Sequence, residues 1–339
     1  MPPNVKPGVG GLSLSRNGET LVVAGGDGKI RFIDLASGEL QRTLEGHTNV
    51  LYKAVFSPNE KLMASSSRDR TARIWDVATG RELHKLGGYR CSVKAVAFSP
   101  DANQLASSGN DGMLKVWDVK TGAELKSLVH INSADIDMST YALAFSHDGK
   151  KIYASNGDGT ISEWDVTLGK ETKVWKAHDS GSLALVFSPD YRLLASFSES
   201  ALKLWDTSTW REVKSLTTTT WEDLKGLKGF EGLQGLSSLS RHSGSIAFSH
   251  DGKLVAASEM GIDPKQGSYL YVQTYVWNVA TGKKLFTLEG HRFDVDAVVF
   301  TRDNRFLLTG SVDTNIKFWN MKTGELHRTI SLTKSRKNE

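Results

Sequence analysis

The chain has 339 residues, 39% of them apolar, with 42 basic against 38 acidic side chains. A net charge of +4 gives no field strong enough to select nucleic acid or a membrane surface as partner. The single cysteine, Cys91, excludes an intrachain disulfide framework and any CxxC metal or redox motif. There is no run of about 18 apolar residues to cross a membrane, and MPPNVKPGVGG lacks the apolar core of a signal peptide. The expectation is a soluble, cytoplasmic chain with no cofactor and no metal site.

Residues 1–9 form a short N-terminal segment carrying three prolines, a poor strand. A repeat then starts. Its first mark is a turn phrase, Leu14-Ser15-Arg16, which returns as Phe56-Ser57-Pro58, Phe98-Ser99-Pro100, Phe145-Ser146-His147, Phe187-Ser188-Pro189, Phe248-Ser249-His250 and Phe300-Thr301-Arg302. The steps between them are 42, 42, 47, 42, 61 and 52 residues. A second ladder interleaves with the first: Ile33, Trp75, Trp117, Trp164, Trp205, Trp277 and Trp319. Each unit reads as four short strands punctuated by Gly, Asn, Asp, Pro and Ser, with no sustained helical period. In the second unit the strands are YKAVF, KLMASS, ARIWDV and ELHKL. Seven such units span residues 10–332, at about 10–45, 46–87, 88–129, 130–176, 177–215, 241–289 and 290–332, with an insertion at 216–240 and a tail at 333–339. A four-stranded unit cannot bury both faces alone, so radial stacking into an all-β, seven-bladed propeller of antiparallel blades is predicted.

With Trp75-Asp76, Trp117-Asp118, Trp164-Asp165 and Trp205-Asp206 in register, and Gly46-His47 and Gly290-His291 ahead of them, the chain resembles the WD-repeat β-propeller family over nearly its whole length. The resemblance implies a hydrogen-bond chain inside each blade. Its members here are His47, Ser67, Asp69 and Trp75 in unit two and His291, Ser311, Asp313 and Trp319 in unit seven. Asp111 with Trp117 and Asp158 with Trp164 are the partial sets. A Ser, His and Asp together also fit a hydrolase. Recurrence in separate blades, with Gly109, Asn156 and Glu199 as replacements elsewhere, argues for scaffold rather than catalysis. No catalytic residue is assigned.

The period breaks at HINSADIDM before unit four, at TTTTWEDLKGLKGFEGLQGLSSLS before unit six, and at EMGIDPKQGSYLYVQ inside unit six. Up-and-down topology puts all three on one face, called the top in this family. The second insertion spaces Leu224, Leu227, Phe230, Leu233, Leu236 and Leu239 by three residues, a pattern for a compact loop folded back on its blades or for an exposed apolar lip. The third reads as an overshooting hairpin with Tyr269, Tyr271, Gln273 and Tyr275 on one face. Ring closure stays open between simple packing of units one and seven and a longer parent chain.

In the family that this chain resembles, residues leading into strand one touch partners. Carried over by register, these are Val50, Tyr52, Ser92, Lys94, Ser139, Tyr141, Gly181, Leu183, His242, Gly244, Asp294 and Asp296, with Arg68, Asn110 and Val312 from the adjoining turn. Unit one offers only Gly8 and Gly10 and is expected to contribute least. The function implied is a scaffold that recruits protein or peptide partners on its top face. The alternative is an enzyme or small-ligand binder using Asp294, Asp296 and His242 at the channel mouth.

Overall fold

In this computed structural model, which describes residues 7–129, 139–179, 181, 184–198, 201–217, 245–262 and 270–333, the chain forms seven four-stranded sheets. Each sheet pairs four consecutive strands in sequence order, all antiparallel, and the seven stand as blades in a ring. The innermost strands are Val9–Leu14, Leu51–Phe56, Val93–Phe98, Thr140–Phe145, Ala184–Phe187, Ser245–Phe248 and Val295–Phe300. The predicted seven-bladed propeller is therefore the observed fold.

Local chemistry sets the turns. Between strands one and two, the Ser of the repeated phrase bridges the loop. Ser57 Oγ donates to Asn59 Oδ1 and accepts from Leu62 N, and Ser99 and Asp101 repeat the arrangement. Between strands three and four, the Asp of the Trp-Asp pair does the same work. Asp76 Oδ1 accepts from the Thr79 backbone and hydroxyl, and Gly80 follows at φ 74°. Such a left-handed position suits glycine. Blade five departs from this: Trp210 occupies the glycine slot at φ 56°. Its ring stacks on Tyr153 at 4.7 Å and Trp175 at 5.2 Å in blade four, contacts that offset a strained backbone.

The core lies between blades. One cluster joins Leu202 and Leu204 of blade five to Tyr275 and Trp277 of blade six. Another joins Val9, Leu21 and Ile33 of blade one to Leu308, Ile316 and Phe318 of blade seven. Ring closure is thus face-to-face packing, and blade seven takes all four strands from its own segment. Arg328 adds a clasp, donating to the carbonyls of Leu35 and Ala36.

The inner strands of blades one and two approach so closely that side chains are excluded. A Cβ on Gly10 would lie 2.2 Å from the Leu51 carbonyl oxygen, and one on Gly11 would lie 2.8 Å from that of Tyr52. The hairpin of unit six overshoots as predicted: Leu254–Ile262 pairs with Leu270–Asn278 through Ile262↔Leu270. Its tip with Tyr269, the HINSADIDM segment, the Leu-rich insertion, Leu183, Glu199, His242 and Gly244 lie outside the described residues.

Candidate protein-binding face

Inside blade two, Trp75 Nε1 donates to Ser65 Oγ at 2.8 Å, and Ser65 Oγ lies 2.7 Å from His47 Nε2. His47 Nδ1 lies 2.8 Å from Asp69 Oδ2. With Nδ1 protonated and donating to the carboxylate, Nε2 accepts from the serine hydroxyl, and one continuous chain results. The linking hydroxyl is Ser65, not the expected Ser67. In blade seven it is Thr309, not Ser311, with Trp319 Nε1 at 2.8 Å and His291 Nε2 at 2.8 Å. Position along strand two explains the correction, because Ser65 and Ser67 share one side of the strand and Ser65 is the one within reach of the indole. Ser65 and Thr309 pair with strand three on the side where the indole packs, ten residues before each Trp. Ser67 and Ser311 sit at the strand's end. Their hydroxyls donate to the carbonyls of Val50 and Phe293 and accept from the N–H of Asp69 and Asp313.

The Ser–His–Asp geometry is that of a hydrolase triad, but the site is sealed. Ser65 has no exposed surface, and its oxygen already accepts a hydrogen bond from the indole N–H. Burial works to raise the Asp69 and Asp313 pKa values, but hydrogen bonds from His47 and His291 prevail. Both carboxylates are held below the usual range, Asp313 at about 2. Burial lowers the His47 pKa.

Other blades rewire the chain. Tyr89 replaces histidine in blade three, its hydroxyl 2.5 Å from Ser107 Oγ, which accepts from the Trp117 indole N–H. Asp111 there accepts from the backbone N–H groups of Arg90 and Met113. In blade four Trp164 donates to Ser162, as does Asn156, which also donates to Thr160; Thr160 donates to Asp158. Ser65→Ala is expected to cost about 2–3 kcal/mol, since it orphans both an indole N–H and an imidazole nitrogen. Ser67→Ala is expected to cost about 1 kcal/mol, because the Val50 carbonyl keeps the Arg68 N–H. Denaturant midpoints measure both, and equal losses would contradict this assignment.

On the top face, the residues picked by register meet in pairs. Backbone hydrogen bonds run from Arg68 N to Val50 O at 2.9 Å, Asn110 N to Ser92 O at 3.1 Å, Gly157 N to Ser139 O at 2.8 Å and Val312 N to Asp294 O at 3.0 Å. Each pair locks the loop entering strand one to the turn after strand two. Arg68, Asn110 and Val312 are exposed.

The second set of positions has a common cause. In five blades the register with strand two slips by one residue, leaving Gly10, Tyr52, Lys94, Tyr141 and Asp296 as the extra residue of a β-bulge. A bulge on an inner strand re-aims one side chain away from the ladder. Here Lys94 Nζ sits 3.9 Å above the Tyr52 ring of the neighbouring blade, a cation–π contact across the mouth. Asp296 is coupled to Asp294, Lys53 and Lys94 through space. Burial first, then the Asp294 charge, pushes its pKa up to about 7, with Lys53 and Lys94 acting in the opposite direction. Burial lowers the Lys53 pKa, and Asp296 counters it. Asp296 of blade seven is thus linked by charge to Lys53 of blade two and Lys94 of blade three.

Two residues of this face escaped the sequence reading. Lys53 stands third before the turn phenylalanine, where the other units have Gly11, Ala95, Ala142, Ala184, Ser245 and Ala297. A single lysine in a column of small residues is the signal that marked it. Phe293, 60% exposed beside Asp294, is an apolar ring on the rim.

A family model described as the IFT122 first beta-propeller matches residues 9–224, and one described as WD domain, G-beta repeat matches residues 282–320. The chain belongs to the WD-repeat β-propeller family. Its relatives in Arabidopsis thaliana include Autophagy-related protein 16, 28% identical over 159 residues that cover 46% of this chain and 25% of that protein. THO complex subunit 6 is 33% identical over 75 residues, covering 21% of this WD-repeat chain and 20% of that protein. Periodic tryptophan protein 2 is 40% identical over 52 residues, 15% and 6% of the two chains. These matches span a quarter or less of each relative's length. Together with the fold they point to an interaction scaffold in the general sense.

Proposed function

We propose that this WD-repeat propeller is a non-enzymatic recruitment platform, acting in the cytoplasm, that binds protein or peptide partners on its top face. The observation that carries this reading is the paired rim. Backbone hydrogen bonds fix Val50–Arg68, Ser92–Asn110 and Asp294–Val312 around a mouth where bulges present Tyr52, Lys94, Tyr141 and Asp296. Rigid presentation of aromatic and charged side chains reduces the ordering cost of binding and supplies anchors for a partner. Catalysis gains no support from the buried triads, because their hydroxyls are engaged and sealed.

The test is quantitative affinity capture from the source cell with three baits of matched circular dichroism. One is wild type. One carries Arg68→Ala, Phe293→Ala and Val312→Ala on the top rim. The third carries Lys150→Ala and Lys253→Ala, in strand one–two turns on the opposite face. The expected result is at least a tenfold loss of partners with the rim variant and none with the opposite-face variant, a loss of about 1.4 kcal/mol or more. The reverse pattern would move the site to the other face.

A further inference from the structure

On the face opposite the rim, the strand one–two turns meet across the seams between blades. The residue that follows the turn Ser or Thr in one blade contacts, in the next, the residue three beyond its Ser or Thr. Arg16 N donates to the Glu60 carboxylate, and His250 N donates to Asn304 Oδ1 at 2.7 Å. His147 stacks on Tyr191 at 4.8 Å. Pro100 and Pro189 have no N–H to satisfy, and they face Gly149 and Gly252, where an added Cβ would lie 3.4 and 3.8 Å away. The mismatch falls at the seam that closes the ring. Arg302 of blade seven lies against Gly18 of blade one, its Cγ 3.3 Å from where a Cβ would stand. Gly18 brings neither the acceptor of Glu60 and Asn304 nor the ring of Tyr191. The backbone does not demand glycine there, since Glu60, Tyr191 and Asn304 hold the same slot at φ 58°, 58° and 57°. Arg302 is exposed and makes no hydrogen bond or ion pair among the described residues.

Arg302 opens on a groove of about 590 Å³ between blades seven and one. The other charged groups there are committed. Asp303 Oδ1 accepts from Thr301 Oγ1 and Arg305 N, Asp34 Oδ1 from Ser37 N and Oγ, and Glu19 Oε2 from Asn17 Nδ2. Arg328 is held by the carbonyls of Leu35 and Ala36 and lies over the Phe318 ring at 4.1 Å. A free anion entering the groove gains one guanidinium and meets three carboxylates. A carboxylate carried on a side chain gains more. The guanidinium fork matches its two oxygens. Its methylenes cover the Phe306 and His327 rings, which stack at 4.8 Å and line the same groove.

We propose that this groove is a docking subsite for an acidic side chain of a partner protein, whose carboxylate binds Arg302 in the place that Glu60 holds at the next seam. This goes beyond the top-face reading and does not depend on it: it adds a second contact, on the opposite face, where the first and last blades meet.

The test uses the folded full chain with ¹⁵N-arginine at low ionic strength and reads the Arg302 Nε–Hε resonance, assigned by its loss in Arg302→Lys. The probes are the N-acetyl methylamides of glutamate and glutamine, and acetate. The glutamate probe is expected to shift this resonance saturably. The glutamine probe and acetate are expected to bind at least tenfold more weakly, which separates a side-chain carboxylate from a neutral acceptor and from a free anion. Gly18→Glu supplies the carboxylate from within the chain, as Glu60 does, and is expected to weaken the glutamate probe at least tenfold with unchanged circular dichroism. Should that variant not fold, Gly18→Asn takes its place, since blade seven carries Asn304 in the same slot. Arg68→Ala, on the opposite rim, is expected to leave the glutamate titration unchanged. Equal binding of glutamate and either other probe, undiminished binding in the filled variant, or no shift with any probe would overturn the subsite.

Discussion

Gly10→Ala is expected to destabilise the propeller by about 3 kcal/mol or more, the upper range for overpacking. The added Cβ falls 2.2 Å from the Leu51 carbonyl oxygen and 3.3 Å from the carbonyl carbon. Both obstacles are backbone atoms of a neighbouring inner strand, so no rotamer change relieves the clash. The two blades have to separate. Gly11→Ala meets the Tyr52 carbonyl oxygen at 2.8 Å and the Lys53 Cα at 3.2 Å and is expected to cost less. Gly87→Ala meets nothing within 4 Å and is expected to be close to neutral. Denaturant midpoints should therefore fall in the order Gly87→Ala, Gly11→Ala, Gly10→Ala. A Gly10→Ala protein as stable as the Gly87→Ala protein would show that the seam between blades one and two is not close-packed.

The blades were legible because their signals are local and repeated. A hydroxyl that closes the strand one–two turn, an Asp that closes the strand three–four turn and an indole at a fixed interval each leave a mark seven times or nearly so. The internal hydrogen-bond chain was half legible. Its His, Asp and Trp were correctly grouped, but Ser67 was chosen over Ser65 because spacing from Asp69 was followed instead of reach to the indole. Ser65 and Ser67 point to the same side of strand two, and only the packed indole separates their roles. The rim was legible as a list of positions but not as a mechanism. Nothing in Tyr52, Lys94 or Asp296 announces a bulge, because a bulge is a mismatch of two strands and not a property of one. Lys53 escaped the sequence reading although it stands alone in a column of small residues. Its link by charge to Asp296 crosses units, which no periodicity reveals. The joint between blades four and five was hidden in the same way. Trp210 reads as a damaged turn until its ring is placed against Tyr153 and Trp175.

Asp296→Asn is expected to leave stability almost unchanged near pH 4 and to raise it by about 2 kcal/mol near pH 8. The sign follows from the raised pKa. In the unfolded chain this carboxyl ionises near pH 4, whereas in the folded chain it holds its proton to about 7. Between those values the unfolded state releases a proton that the native state keeps, so the wild type loses stability as pH rises through that window. Above it the penalty is constant. The full shift corresponds to about 4 kcal/mol, and the partial exposure of the residue reduces what is realised to about half. Stability of the two proteins, measured by denaturant unfolding at several pH values, should diverge through the window and then run parallel. Parallel curves from pH 4 onward would mean that Asp296 ionises normally and that the mouth is well solvated. A buried acid that weakens its own fold at neutral pH is the pattern of a group retained for binding and not for packing. An asparagine there keeps a carbonyl acceptor but has no charge to desolvate, so the gain of stability should appear only above the pH at which the unfolded carboxyl ionises.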